Sequence, residues 1–201
     1  MPALDASAAP SLIGPESNGV LMTPGEYDAT QEWDDRYRYE LVNGVLVVLP
    51  PPGFGERSPN DYLSYLLNKY REEHPNGNRV DATLPEQDVV CGDNRRRVDR
   101  AIWVGVGEAF DPNADVPTIA IEFVSGTARD RRRDYVDKRR EYLAAGVKEY
   151  WVLDRFARRL TVFQGETVTA YGENEVYRPD LLPGFELPVR VLLERSEPRG
   201  G

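Results

Sequence analysis

Pro117-Thr118-Ile119-Ala120-Ile121-Glu122-Phe123-Val124 reads as a β-strand, and it is the most apolar strand in the chain. A strand this apolar is covered on both faces, so it is expected at the centre of a sheet. Ile119, Ile121 and Phe123 point one way, while Ala120, Glu122 and Val124 point the other. Glu122 breaks the pattern. An ionised carboxylate buried without a partner is costly, so it calls for a cation, a metal or a water-filled cleft. A structural ion pair, or a strand end emerging at Ser125-Gly126, would satisfy it equally well, and spacing alone does not decide between these.

Working outward, Arg97 to Val104 reads as a strand preceding a loop around 105–116. If it forms an antiparallel hairpin with the Glu122 strand, Trp103 opposite Thr118, then Asp99 falls opposite Glu122. Directly opposed residues on one face have β-carbons roughly 4.5–5.5 Å apart. Two carboxylates so placed repel, and a divalent cation between them removes the penalty; Mg²⁺ takes one or two carboxylates plus waters and phosphate oxygens. On the other side a helix is expected from about Arg131 to Ala145, stopped by Gly146. Lys138 follows Asp134 by four residues on that helix. Such a pair on a surface contributes about 0.2–0.5 kcal/mol. A helix leaning over the strand end would instead deliver the Lys138 ammonium to the two carboxylates, where it could orient a water or stabilise charge on phosphorus. Tyr150-Trp151-Val152-Leu153 is a further buried strand.

The rest of the chain is mixed α and β. Thr23-Pro24-Gly25-Glu26 carries a capping box for a short helix. Tyr39 to Val42, Asn43-Gly44 and Val45 to Leu49 spell a tight hairpin, with Glu40 in its first strand, either solvent-facing or a fourth acidic site residue. A second helix is expected from Ser58-Pro59, with Tyr62, Leu63, Leu66, Leu67 and Tyr70 at helical spacing and Pro75-Asn76-Gly77 ending it. Strands follow at Val80 to Leu84 and Asp88 to Cys91, and later at Arg159 to Gln164, Glu166 to Tyr171 and Phe185 to Leu193. Residues 1–20, rich in Ala, Ser, Pro and Gly, read as a flexible tail, 21–193 as a single domain, and 194–201 as a C-terminal tail.

Composition narrows the chemistry. The chain has 201 residues, 40% hydrophobic, enough for a sizeable core. No apolar run approaches the roughly 18 residues of a membrane span, and no signal peptide is visible, so a cytoplasmic protein without a membrane partner is expected. The one cysteine, Cys91, and one histidine, His74, exclude a disulfide framework and a Cys/His zinc site. Catalysis must then rest on carboxylates, Lys, Arg and a hard metal. The net charge of −9 is wrong for a generic nucleic-acid coat. Its distribution is uneven: 129–140 carry seven basic and three acidic residues, a solvated helix face or a local anion-binding face.

Four stretches together resemble the Uma-two family of restriction-endonuclease-like proteins, a branch of the PD-(D/E)XK nuclease superfamily. They are Tyr39-Glu40-Leu41-Val42-Asn43-Gly44, Arg97-Val98-Asp99, Ile121-Glu122-Phe123-Val124-Ser125, and Asp134-x-x-x-Lys138-x-x-x-Tyr142-x-x-x-Gly146-Val147-Lys148-Glu149-Tyr150-Trp151-Val152-Leu153-Asp154. Val98 replaces the usual proline, Asp61 a common histidine, and Val124 the superfamily's lysine, which in this family comes from the helix and maps onto Lys138. The resemblance implies an α/β (α+β) restriction-endonuclease-like core, a mixed sheet flanked by helices, with extra hairpins. It implies Asp99 and Glu122 as ligands of Mg²⁺ (or Mn²⁺), Lys138 as their catalytic companion and Glu40 as an additional acidic residue. A metal-dependent DNA endonuclease is the function expected, as a monomer or a homodimer, with Arg129, Arg131, Arg132 and Arg133 approaching the phosphates. The alternative is a catalytically inactive nucleic-acid-binding or protein-interaction module that keeps the fold.

Overall fold

The computed structural model describes residues 12–107, 110–126 and 131–197. They divide into two compact units, one of residues up to 51 with 92–96, the other of 52–91 and everything from 97 onward.

The first unit is built on the expected hairpin. Strands β1 (Arg38–Val42) and β2 (Val45–Leu49) pair antiparallel, Val42 opposite Val45. Asn43 and Gly44 both take positive φ, 51° and 75°, which the tight turn between right-twisted strands requires. Helix α1 (Pro24–Ala29) starts with the full capping box of Thr23 and Glu26. Its Tyr27 packs with Trp33, Tyr39, Leu41 and Leu46 in a small core. Residues 12–20, expected within a flexible tail, are docked instead. Gly19 N–H donates to Leu46 O, Leu46 N–H to Val20 O, and the Tyr39 hydroxyl to Ile13 O. The open edge of β2 gives these residues backbone partners that composition does not reveal. Residues 1–11 lie outside the described part.

The second unit carries the central sheet. Strand β3 (Val80–Cys91) pairs with β4 (Asn94–Val104), whose first three residues belong to the first unit. From β4 the order runs through β5 (Ile119–Phe123), β6 (Glu149–Asp154), β7 (Arg159–Gln164) and β8 (Thr167–Gly172). The β5–β6 pair is parallel, while β4–β5, β6–β7 and β7–β8 are antiparallel, so the sheet is mixed. Strand β5 is fully buried, and its alternation sorts the two faces. Ile119, Ile121 and Phe123 join Leu63, Leu67 and Tyr70 of helix α2 (Phe54–Glu73) in one core. Ala120 and Val124 join Tyr142, Tyr150 and Val152 in another. Tyr142 belongs to helix α3 (131–145), π-helical over Arg133–Lys138 and α-helical over Arg139–Ala145, ended by Gly146 at φ 107°.

Three local expectations are corrected. Helix α2 begins at Phe54, not at Ser58, because Glu56 reaches back to the Gly53 N–H; Pro59 lies inside it. The two strands expected between Val80 and Cys91 are one, Pro85 being followed by Glu86 at φ 51°, which lets the strand bend without ending. After β9 (Val176–Tyr177), β10 is only Leu187–Pro188, and helix α4 (Val189–Arg195) takes the place of a longer strand. Ser196 beyond it is buried and bonded to Leu192 O, so the segment from 194 begins as a docked helix end. No helix among the described residues is long and apolar enough to cross a membrane.

Candidate active site

Asp99, Glu122 and Lys138 come together in the second unit. The β4–β5 register is Arg100 opposite Ile121, Ala101 opposite Ala120 and Ile102 opposite Ile119. The ladder ends there, with Asp99 and Glu122 the next residue along each strand. Asp99 Oδ2 accepts the Phe123 N–H at 2.8 Å, which ties its carboxylate to the Glu122 strand. Its backbone carbonyl takes the Asn60 side-chain amide from α2 at 2.8 Å. Asn60 in turn accepts from Arg100 Nε at 2.5 Å, so a buried guanidinium braces the β4 backbone from the other face. Burial lowers Arg100 to a pKa of about 10.

Glu122 is 2% exposed, and it is held by α3. Lys138 Nζ donates to its Oε1 at 2.8 Å and to Arg97 O at 2.8 Å. The Tyr142 hydroxyl donates to the same Oε1 at 3.0 Å. Oε2 accepts no hydrogen bond from the described residues. Lys138 and Tyr142 are four residues apart, one helical turn, which is why both reach one carboxylate. Asp134, a further turn back, is fully buried. Its Oδ1 accepts from Arg133 Nε at 3.0 Å, and its Oδ2 has no partner. The Asp134–Lys138 pair, readable as a surface pair, is therefore an interior one.

The electrostatics follow from crowding. Burial pushes the Glu122 carboxyl well above the ordinary carboxylate range; the Lys138 ammonium opposes this, and the charges of Asp99 and Asp134 add to it. Burial likewise raises Asp134, against Lys138 and Arg133. Tyr150, whose hydroxyl donates to Asp134 O at 2.9 Å, is raised far above its usual value by burial and then by the charge of Glu122.

These groups fit a hard divalent cation. No ready-made cage of three or more His, Cys, Asp or Glu exists among the described residues. A cation of the Mg²⁺ kind does not need one, since it keeps several waters and takes one or two carboxylates. Asp99 and the open Oε2 of Glu122 supply that donor type on facing strands.

The other expected residues are placed differently. Glu40 lies in the first unit, 1% exposed, and accepts from Arg96 Nη1 at 3.0 Å. It is not solvent-facing. Arg133 is engaged with Asp134, while Arg131 sits 3.6 Å from Asp154 and Arg132 is exposed. Arg129 lies outside the described residues. Tyr142 and Asp134 stand in the quoted motif but carry no site role in the sequence reading, and the Asn60–Arg100 pair has none either; the first two share a helical face with Lys138, which is the available signal.

The family model described as "Putative restriction endonuclease", Uma2, matches residues 25–190. The chain belongs to the Uma2 family. A solved structure from Anabaena variabilis ATCC 29413, described as a putative nuclease belonging to DUF820, superimposes on this Uma2 protein with a TM-score of 0.71. The two are 14% identical, and the match covers 88% of this chain and 99% of that one. It establishes the restriction-endonuclease-like fold. No curated protein matches.

Proposed function

We propose that this Uma2 protein is a metal-dependent nuclease that hydrolyses phosphodiester bonds of DNA. The observation that carries the reading is the convergence of Asp99, Glu122 and Lys138 from two strands and a helix, with one carboxylate oxygen of Glu122 accepting no hydrogen bond from the described residues. Membership of a family described as restriction endonucleases points the same way.

Asp99 and Glu122 would hold Mg²⁺, or Mn²⁺ in its place. When bound, such an ion supplies Lewis-acid stabilisation of a phosphoryl oxygen and a water of lowered pKa. The protein's own part is positioning. Phe123 N–H fixes Asp99, and Tyr142 holds Oε1 of Glu122. Lys138, anchored on Arg97 O, keeps a positive charge beside the carboxylates, where it stabilises the negative charge that grows on the phosphoryl group. Arg131 and Arg132 supply local positive charge against the overall −9.

The test is a cleavage assay with Mg²⁺ and Mn²⁺ on plasmid and single-stranded DNA, beside a metal-binding titration. Metal-dependent cutting lost in Glu122→Gln supports the reading. A wild-type protein that binds DNA without metal and never cuts would be the inactive binding module instead.

A further inference from the structure

Phe156 is a large apolar side chain left 47% exposed in the loop after β6, at the end of the strand pair that carries the site. Three observations show that it is held there. Asp154, 2% exposed, accepts the N–H groups of both Phe156 and Ala157 at 2.9 Å, which fixes the turn. The guanidinium of Arg155 lies 4.6 Å from the ring centre and is itself bonded to Ser196 O at 3.2 Å. The guanidinium of Arg131, from the start of α3, lies 5.4 Å from the ring centre, and its side chain is 44% exposed. The tip of the ring rests on Gly126, where an added β-carbon would come within 3.3 Å of it. Gly126 is four residues beyond Glu122, and the Val124 N–H that follows Glu122's strand donates to Leu153 O, one residue before Asp154. The ring thus stands at the exit of β5 and β6, the strand pair that carries Glu122.

We infer that Phe156 and Arg131 form a contact for one unpaired nucleotide of the substrate, the base against the ring and its phosphate on the guanidinium. A rigid aromatic face next to a partly exposed arginine is the combination that binds single-stranded nucleic acid, because every base has a π-face and every nucleotide a phosphate. Arg155, bonded to Ser196 O, supports the ring, while Arg131, its side chain 44% exposed, is the donor to the phosphate. The inference rests on the nuclease reading and adds to it the form of the substrate: DNA that is single-stranded or opened next to the cut.

Phe156→Trp provides a spectroscopic reporter, since Trp103 and Trp151 are fully buried and Trp33 is packed, partly buried, in the separate small core of the first unit. Titrating this variant with oligothymidine in EDTA should quench the new tryptophan, while the wild-type spectrum stays nearly unchanged. Phe156→Ala should bind oligothymidine about tenfold more weakly than wild type. Arg131→Gln should weaken binding and flatten its salt dependence. Because binding is read without metal, it is independent of cleavage. A wild-type protein that cuts DNA, together with a Phe156→Ala variant that binds and cuts as well as it does, would overturn this contact and leave the nuclease reading standing. Quenching that follows protein concentration and not DNA would also overturn it, assigning the ring to a contact between protein copies. Absence of both oligothymidine binding and cleavage in wild type would remove the two readings together.

Discussion

Glu122 and Glu149 lie on the parallel neighbours β5 and β6 and are equally buried, at 2% and 1% exposure, yet their surroundings differ in kind. Glu149 accepts from Trp151 Nε1 at 2.8 Å and the Tyr177 hydroxyl at 2.7 Å on one oxygen, and from Gln164 Nε2 at 2.7 Å on the other. All three donors are neutral and both oxygens are used. Glu122 has its two donors on one oxygen, one of them an ammonium, with Asp99 and Asp134 close enough to raise its pKa. Burial of a carboxylate therefore does not mark a site. Completeness of its hydrogen bonds does: Glu149 is a fixture that joins β6, β7 and β9, whereas one oxygen of Glu122 accepts from none of the described residues, in a crowd of like charge.

The largest effect that tests this contrast is on cleavage. Glu122→Gln keeps the side-chain shape and removes the charge, so the cleavage rate should fall at least roughly a hundredfold while the fold survives. In EDTA the variant should melt no lower than wild type, and the gap should widen as pH rises from 5 to 8. The sign follows from the raised folded-state pKa: the folded protein holds this proton more tightly than the unfolded chain, so the contribution of Glu122 to stability declines as pH rises. Equal cleavage rates would place the site elsewhere. Glu149→Ala should do the reverse. It leaves two buried donors, the Trp151 indole and the Tyr177 hydroxyl, unpaired, costing about 2–4 kcal/mol and lowering Tm by several degrees. Its cleavage rate per folded molecule should match wild type. Next in size, Tyr142→Phe removes one donor from Oε1 of Glu122, costing about 0.5–1.5 kcal/mol. Its cleavage rate should drop only severalfold, with Lys138 still in place. A Tyr142→Phe loss as deep as that of Glu122→Gln would assign Tyr142 a direct role.

How far this was legible in the sequence depends on the range of the interaction. The hairpin at Asn43-Gly44, the two-faced β5 and the β4–β5 register as far as Arg100 opposite Ile121 follow from local turn chemistry and a period of two residues, and these are observed. The helix stop at Gly146 is equally local. The readings that needed correction depended on distant partners. Residues 12–20 are ordered by the free edge of β2, and the end of α4 by packing of Ser196. Pro59 suggested a helix start because proline favours a first turn, but the Glu56 contact to Gly53 begins the helix earlier. Of the site, the residue types that break an apolar pattern were legible. The burial of Asp134 was not, because a charged residue at helical spacing looks the same on a surface face and on an interior one until the packing of α3 is known.

Asp28 gives the smallest test, and it has the opposite pH sign to Glu122. Its two oxygens accept from Arg95 Nε at 2.8 Å and Nη2 at 2.6 Å, a fork-shaped pair in the first unit. That hydrogen bonding holds the Asp28 carboxyl below its usual range, against the opposing effect of burial. The folded state therefore binds the proton less tightly than the unfolded chain. The stabilisation is present above the unfolded pKa, about 3.9, and is lost as pH falls through the folded value. The Asp28 side chain is 51% exposed, so solvent screens the pair, and its contribution should stay below about 0.5 kcal/mol. Asp28→Asn should accordingly melt slightly lower than wild type at pH 7. The difference should shrink in 1 M salt and disappear only once the pH has fallen below the folded value, where both proteins carry a neutral group at this position. Thermal melts of the two proteins across that range, set beside those of Glu122→Gln in EDTA, separate an exposed paired carboxylate from a buried crowded one by slope alone. Equal slopes would mean that surroundings do not distinguish them.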